Sequence, residues 1–369
     1  MNDHLSPLSA VVLAAGEGSR MRSERPKPLH RLCGRPMLTY VLDALGTSGV
    51  GCVAVVVGHK GDWVTKKIQE QPHDLRLEFV EQRVQRGTAD AALVGLIGLP
   101  DELADHSDDA DVLVLPGDTP LLRTTTIEAL VDQHRRSGAA ATVLTARVND
   151  PSGYGRVVRD SAGRVARIVE HRDADDTELA IDEINTSIYC FRQSLLAPAL
   201  RRIQPDNSQG EYYLTDVVGV LVAAGHPVEA TVADDPGEIR GVNDRSQLSA
   251  AEAELRRRTN AELLSQGVTI VDPASVYVDT TVRVGRDVTL FPGVILQGGS
   301  VVGDGCEIGP WTRLVDTVVG RDSVVGQTTA RSARIGDRAS VGPFASLEPG
   351  DEIGDDATTG AFYTSETDG

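Results

Sequence analysis

The chain has 369 residues, more than one average domain, so two domains are the default expectation. Its 36 Lys and Arg against 54 Asp and Glu give a formal net charge of −18, which argues against nucleic acid or an anionic membrane as the main partner. Four scattered cysteines predict neither a zinc site nor a disulfide framework. Without a leader-like N-terminus or an apolar stretch long enough to cross a bilayer, the sequence predicts a cytoplasmic protein.

Up to about residue 245, apolar β-rich runs alternate with helical patterns, which is typical of βαβ units on a mostly parallel sheet. The clearest strands are Ser9–Ala15, Cys52–Val57 and Val112–Pro116. The clearest helices are Met37–Leu45 and Thr88–Leu96. The sequence therefore predicts an α/β domain over residues 1–245.

The first predicted strand ends in the glycine-rich run LAAGEGSRM, which RPKPLH follows at Arg25. Glycines at the tip of a buried strand let backbone N–H groups approach an oxyanion closely. Met21 stands where a dinucleotide fingerprint has its third glycine, and no Gly-Lys-Ser/Thr of a Walker loop follows. Arg20 and Lys27 instead supply two cations that suit a nucleoside triphosphate.

A carboxylate follows the third apolar strand, in the turn Pro116-Gly117-Asp118. The carboxyl edge of an open α/β sheet is where ligands bind. Mg²⁺ that is engaged with phosphates needs few protein ligands, so Asp118 alone is adequate as a protein carboxylate. An Asp in a turn is also commonly a structural cap, and that alternative stays open on the residues alone.

The stretch Gln247–Leu264 contains no Gly or Pro and predicts a connecting helix over residues 246–266. The residue pattern changes after it. Six-residue repeats then begin with aliphatic residues at Val278, Val284, Leu290, Leu296, Val302, Ile308, Leu314, Val319, Val325, Ile335, Val341, Leu347 and Ile353, and with Thr359. A period of six with aliphatic corners predicts a parallel β-helix over residues 267–369, whereas ordinary strands would alternate with period two.

The run LAAGEGSRM with RPKPLH resembles the N-terminal signature of the sugar-1-phosphate nucleotidyltransferases. From about residue 9 to about residue 363 the chain is similar to the bacterial bifunctional N-acetylglucosamine-1-phosphate uridylyltransferase/glucosamine-1-phosphate acetyltransferase family. The resemblance implies a Rossmann-like, GT-A-like nucleotidyltransferase domain followed by a short left-handed β-helix. It implies transfer of a uridylyl group from UTP to N-acetylglucosamine 1-phosphate with Mg²⁺, and a homotrimer formed through the β-helix.

The same resemblance implies roles for single residues. Those implied to contact the nucleotide are Leu13, Ala14, Ala15, Gly16, Gln82, Gly87 and Thr88. Those implied to contact the sugar phosphate are Gly155, Glu170, Asn185 and Asn243. Arg20, Lys27 and Asp118 would be catalytic, and Asp118 and Asn243 would hold the metal ion. Many relatives have Tyr where Pro116 stands, a departure that leaves the neighbouring carboxylate intact.

The C-terminal region departs from that family. Glu348 and Glu366 align with an Arg and a Lys that bind an anionic sugar phosphate in the family. A carboxylate at these positions would repel the phosphate that a cation attracts. The family's catalytic His and acetyl-CoA residues have no counterpart in this sequence, which predicts a truncated acetyltransferase domain without activity. Two alternatives stay open. One is a nucleotidyltransferase for glucose or mannose 1-phosphate with UTP, dTTP, ATP or GTP, and the other is a non-catalytic regulatory or scaffold subunit.

Overall fold

A computed structural model of the protein describes residues 8–71, 73–100 and 110–365. Within these residues the chain divides into two compact units. The first unit comprises residues 8–30 and 36–247, and the second comprises 31–35 and 248–365, each within the described part. Among the helices described, none combines the length and the apolar character that a membrane crossing requires.

A mostly parallel sheet of nine strands forms the centre of the first unit. Numbered in chain order, its strands are β1 (Leu8–Ala14), β4 (Cys52–Val57), β5 (Arg76–Glu81), β6 (Asp111–Pro116), β7 (Ala141–Arg147), β8 (Arg156–Arg159), β9 (Val165–Val169), β10 (Glu183–Arg192) and β11 (Val228–Val232). A short separate pair is formed by β2 (Arg31–Leu32) and β3 (Arg35–Pro36). The order across the sheet is β11-β7-β10-β6-β1-β4-β5, and β10 runs antiparallel to both its neighbours.

The central strands are buried on both faces, which explains their continuous apolar sequences. Side chains of β1 alternate between two cores: Ala10 and Val12 belong to one, and Val11 to the other. The α-helices among the described residues of this unit are α1 (Met37–Gly46), α2 (Gly61–Gln69), α3 (Thr88–Ile97), α4 (Thr124–Ser137), α5 (Asp176–Leu179), α6 (Gln193–Leu200) and α7 (Asp216–Ala223). The predicted α/β fold is confirmed, with the predicted strands and helices displaced by at most one residue at either end.

The second unit contains most of α8 (Arg245–Ser265) and fifteen short strands in three five-stranded parallel sheets. Those strands, β12 to β26, are Thr269–Ile270, Tyr277–Val278, Arg283–Val284, Thr289–Leu290, Ile295–Gln297, Val301–Val302, Glu307–Ile308, Arg313–Val315, Val318–Val319, Val324–Val325, Thr329–Arg331, Arg334–Ile335, Ser340–Val341, Ser346–Leu347 and Glu352–Ile353. Neighbours within each sheet lie three strands apart along the chain, so each coil contributes one strand to each face.

The aliphatic residues that begin the six-residue repeats form the core of this unit. Leu290, Leu296 and Leu314 are fully buried, as a left-handed β-helix with aliphatic corners requires. The repeat predicted no corner between Val325 and Ile335, and the structure shows that Ala330 occupies it. This corner was not predicted because the repeat was recognised by larger aliphatic side chains than that of Ala330.

Candidate active site

A pocket with a cavity volume of about 370 Å³ opens at the carboxyl edge of the first unit's sheet. Its walls come from the ends of β1 and β6, from segments that follow β1, β5, β6 and β9, from the middle of β10, and from the segment before α7. Ten of the residues implied by resemblance line it, namely Leu13, Ala14, Ala15, Gly16, Lys27, Gln82, Gly87, Thr88, Asp118 and Glu170. The residues predicted for the nucleotide therefore lie together around one cavity.

The glycine-rich turn after β1 leaves room at two places. A Cβ atom added to Gly16 would meet no atom within 4 Å, so its backbone faces open space. Gly18 has φ of +65°, and a Cβ atom there would lie 2.8 Å from the Cβ of Lys27. Glycine at this position lets the segment that carries Lys27 pack against the turn.

Four polar side chains from three distant segments meet beside this turn. Lys27 Nζ donates a hydrogen bond of 2.8 Å to Asn243 Oδ1 and forms an ion pair with Asp118. Arg20 Nη2 donates to the same Asn243 oxygen at 3.0 Å. The segments are held together through the backbone, because the Val242 N–H donates to the Asp118 carbonyl at 2.8 Å. The structure thus brings together all the residues predicted for catalysis and metal binding.

The oxygens of Asp118 and Asn243 both contact the Lys27 ammonium, so they already converge on one positive charge. A carboxylate and an amide oxygen are hard donors, which Mg²⁺ prefers. In the described ranges no group of three or more His, Cys, Asp or Glu side chains could form a metal cage. The donor set fits an ion that takes its remaining ligands from phosphate and water.

Gln82 also lines the pocket and is 5% exposed, and its carboxamide is held by two hydrogen bonds. Its Nε2 donates to Asp90 Oδ2 at 2.8 Å and to the Gly87 carbonyl at 3.3 Å. No residue within the described ranges donates a hydrogen bond to its Oε1. The amide therefore offers an acceptor to a ligand, while both of its N–H bonds are already used.

Gly87 and Thr88 hold a neighbouring wall of the pocket. Gly87 has φ of +123°, and a Cβ atom there would overlap the backbone of Tyr212. The Tyr212 N–H donates to the Arg86 carbonyl at 2.8 Å, and the Leu214 N–H donates to Thr88 Oγ1 at 2.9 Å. Both residues thus have a structural task that the resemblance did not indicate.

Of the four residues predicted for the sugar, Asn243 contacts Arg20 and Lys27, and Asn185 lies in the first half of β10. Thr215 Oγ1 donates to Glu170 Oε1 at 3.2 Å, and burial raises the pKa of the Glu170 carboxyl above its ordinary value despite this bond. The Asn185 N–H donates to the Gly155 carbonyl at 2.9 Å, and the Asn185 side chain is buried. Glu170 lines the pocket, whereas Gly155 and Asn185 do not.

Several pocket residues were missed by the sequence analysis. Gln85, Ser187, Tyr189 and Glu211 all line the cavity. Gln85 Nε2 donates to the carbonyl of Ala15 at 2.6 Å, and its position three residues after Gln82 could have indicated it. No periodic signal marked the other three.

Comparisons with known proteins agree with this geometry. Residues 10–228, more than half of the chain, match the MobA-like NTP transferase domain family. The curated relative "Bifunctional protein GlmU" of Streptomyces coelicolor is 46% identical over 359 residues, which cover 97% of this chain and 73% of the relative. Proteins of the same name from Heliobacterium modesticaldum and Pelotomaculum thermopropionicum are 44% and 46% identical, and each match covers 96% of this chain and 75% of the relative.

These matches confirm the predicted nucleotidyltransferase, with an activity in UDP-N-acetylglucosamine synthesis. The chain belongs to the family of bifunctional GlmU proteins.

Proposed function

We propose that this pocket binds UTP and N-acetylglucosamine 1-phosphate and transfers the uridylyl group to the sugar phosphate, releasing pyrophosphate. The observation that supports the residue assignment most directly is the convergence of Arg20, Lys27, Asp118 and Asn243 beside the open turn at Gly16. Two cations, a carboxylate and an amide oxygen at a sheet edge are the groups that transfer at a phosphorus atom requires.

Base recognition falls to Gln82 in this proposal. Uracil carries an N3–H donor, and Gln82 Oε1 is an acceptor held in place by Asp90 and Gly87. Cytosine has an acceptor at N3, so two acceptors would face each other if CTP entered the pocket. The fixed amide therefore favours UTP over CTP.

The chemical step is a direct in-line displacement. An oxygen of the sugar phosphate forms a bond to the α-phosphorus of UTP while the bond to pyrophosphate breaks. Arg20 and Lys27 neutralise the charge that develops on the departing oxygens. The acceptor phosphate is already anionic, so no general base and no covalent enzyme intermediate are required.

Asp118 and Asn243 would hold Mg²⁺, which when bound neutralises phosphate charge. Because the Lys27 ammonium contacts both of these side chains, we expect it to compete with a metal ion in the absence of nucleotide. Binding of Mn²⁺ to the free protein, followed by electron paramagnetic resonance, tests this. Asp118→Ala should weaken Mn²⁺ binding, and Lys27→Met should strengthen it. Identical Mn²⁺ affinities in all three proteins would contradict the assignment.

The sugar would bind near Glu170 and Asn185, since a carboxylate and a carboxamide suit sugar hydroxyls and an acetamide group. A pyrophosphate-release assay with UTP, CTP, dTTP, ATP and GTP, each against the 1-phosphates of N-acetylglucosamine, glucosamine, glucose and mannose, tests the whole proposal. We expect kcat/KM for UTP with N-acetylglucosamine 1-phosphate to exceed every other pair by about 100-fold. A higher value for any other pair would overturn it.

For the second unit we propose assembly as a homotrimer. Trp311 and Phe362 are each 72% exposed, and the Phe344 and Phe362 rings stack with their centroids 5.1 Å apart. Exposed aromatic side chains grouped in this way favour association. Light scattering should give three times the chain mass, and a monomer mass would contradict the proposal.

The loss of acetyl transfer stays a prediction. Glu348 is exposed, and Glu366 lies outside the described residues. An assay with acetyl-CoA and glucosamine 1-phosphate tests it, and acetyl transfer by the purified protein would refute it.

A further inference from the structure

Strand β10 contains a bulge at the pocket, between Asn185 and Ile188. Within it Ser187 has φ of +62°, in the left-handed region that favours glycine. In the described part of the first unit, the other non-glycine residues with positive φ are Arg22 and Lys60, and both lie at helix ends. Such a conformation costs a non-glycine residue about 1–2 kcal/mol. Ser187 is therefore strained in the middle of a strand.

Neighbouring side chains hold this conformation. The Ser187 N–H donates to Asn185 Oδ1 at 3.1 Å, and Thr186 Oγ1 donates to the Leu144 carbonyl at 2.7 Å. The Ile188 N–H in turn donates to Thr186 Oγ1 at 3.3 Å. Residues on both sides of Ser187 are buried, whereas Ser187 itself is exposed and lines the pocket. No residue in the described ranges contributes a hydrogen bond to its hydroxyl.

The strand pairing and the pocket lining locate Ser187. Tyr189 pairs with Val114 of antiparallel β6, so Ser187, two residues earlier in β10, lies toward the carboxyl end of β6. Ser187 lines the same pocket as Pro116 and Asp118. On the other side, the backbone of Asn185 is bonded to Gly155. Ser187 thus shares one pocket with Asp118, which is proposed for the metal ion, and with Glu170, which is proposed for the sugar.

The phosphate of a sugar 1-phosphate has to occupy that same place, since it joins the sugar to the α-phosphorus under attack. We propose that Ser187 is a substrate-binding residue whose hydroxyl donates a hydrogen bond to a non-reacting oxygen of this acceptor phosphate. The inference rests on the proposed function and assigns one further contact to it. A strained residue with an unused donor at this position gives the acceptor a fixed orientation before it attacks.

Two substitutions separate the hydroxyl from the backbone strain. Ser187→Ala removes the hydroxyl and keeps the Cβ atom, whereas Ser187→Gly removes the hydroxyl and relieves the strain. Both should raise the KM for N-acetylglucosamine 1-phosphate at least about tenfold, as expected for a lost hydrogen bond to a charged group. The KM for UTP and kcat should change less than about twofold, because a contact made equally before and during reaction affects binding alone. Ser161→Ala, at an exposed turn, is the control and should match the wild type.

Comparing different sugar 1-phosphates as acceptors shows which group of the acceptor the Ser187 hydroxyl contacts. If the hydroxyl binds the phosphate, Ser187→Ala raises the KM for glucose 1-phosphate by the same factor as for N-acetylglucosamine 1-phosphate. A rise confined to N-acetylglucosamine 1-phosphate would assign the contact to the acetamide and overturn the proposal. An unchanged KM in both variants, or an equal rise for UTP, would also overturn it. If the wild type prefers another sugar 1-phosphate, the proposed function fails, yet the phosphate contact is still tested with that acceptor.

Discussion

The two units bury different kinds of polar side chain. In the described part of the second unit they are mostly hydroxyls of the six-residue repeats, with Asn260 in α8. These hydroxyls belong to Ser300, Thr312, Thr317, Ser323, Thr328 and Thr359. Thr312 Oγ1 donates to the Val325 carbonyl at 3.0 Å, and Ser323 Oγ donates to the Gly336 carbonyl at 2.7 Å. Thr317 Oγ1 and Thr328 Oγ1 instead donate to carbonyls two residues earlier, so all four hydroxyls bond to backbone groups of the β-helix.

The first unit buries hydroxyls as well, but it also buries charged groups, including Asp111, Arg156, Glu183 and Glu238. Each has its own partners and no repeat relates one to another. A substitution in the second unit should therefore change stability by an amount set by burial alone. A substitution among the polar groups of the first unit should instead change a specific property, such as kcat, a KM or the pH dependence of stability.

The largest expected effect is on turnover in the first unit. Asp118→Ala removes the carboxylate that contacts Lys27 and would hold the metal ion, so kcat should fall by about 10³-fold or more. Pyrophosphate release measures this, and the melting temperature should stay within a few degrees of the wild-type value. Asp62→Ala, at an exposed position of α2, is the control. Turnover above a tenth of the wild-type rate would remove Asp118 from the site.

The second unit should show the opposite behaviour. Leu314 is fully buried in the β-helix core, and Leu314→Ala should lower the free energy of unfolding by about 3 kcal/mol, since it leaves a cavity. Urea titration measures the loss, and kcat measured where the protein is folded should be unchanged. Val284→Ala, at a half-buried corner, should cost about 1 kcal/mol. A fall in kcat for folded Leu314→Ala would contradict the division of tasks.

Base selection in the first unit gives a smaller effect. Gln82→Leu removes the amide acceptor, so the KM for UTP should rise about tenfold while the KM for the sugar phosphate stays constant. The preference for UTP over CTP should shrink with it. Steady-state kinetics with both nucleotides measure the change, and Gln69→Leu on the surface of α2 is the matched control. A variant that keeps the wild-type preference would show that another group reads the base.

The same contrast explains what the sequence could predict. Strands, helices and coil corners follow from hydrophobic periodicity, which is local, whereas the left-handed turn of the β-helix was implied only by the family resemblance. The corner at Ala330 was not predicted because a small side chain gives a weak periodic signal. An alanine is nevertheless large enough to be buried at a corner.

The site depends on contacts that no local pattern contains. Lys27 and Asn243 lie 216 residues apart, and only the family resemblance, not the spacing, indicated their pairing. The strained backbone of Ser187 arises from a bulge between two strands. Its exposure in a buried strand could be read only from the assembled sheet.

The smallest expected effect is on the pH dependence of stability, and it concerns two buried glutamates of the first unit. Burial raises the pKa of Glu170, and the bond from Thr215 does not offset it. Burial would also raise the pKa of Glu183, but hydrogen bonds from Arg159 at 2.7 and 2.8 Å and from Thr145 at 2.9 Å lower it below its ordinary value. The two carboxyls should therefore affect stability with opposite sign.

Because the pKa of Glu170 is raised in the folded state, its contribution to stability is present below about pH 4.3, the unfolded pKa, and is lost as the pH rises through the folded pKa. Glu170→Gln should then melt a few degrees above the wild type at pH 7 and match it in acid. Glu183 contributes stability above its unfolded pKa, so Glu183→Gln should melt below the wild type at pH 7, with the difference shrinking as the pH falls through the lowered folded pKa. Melting temperatures between pH 3.5 and 8 decide the matter. If both variants shifted in the same direction at pH 7, the charges of the first unit would be interchangeable, as the hydroxyls of the β-helix are.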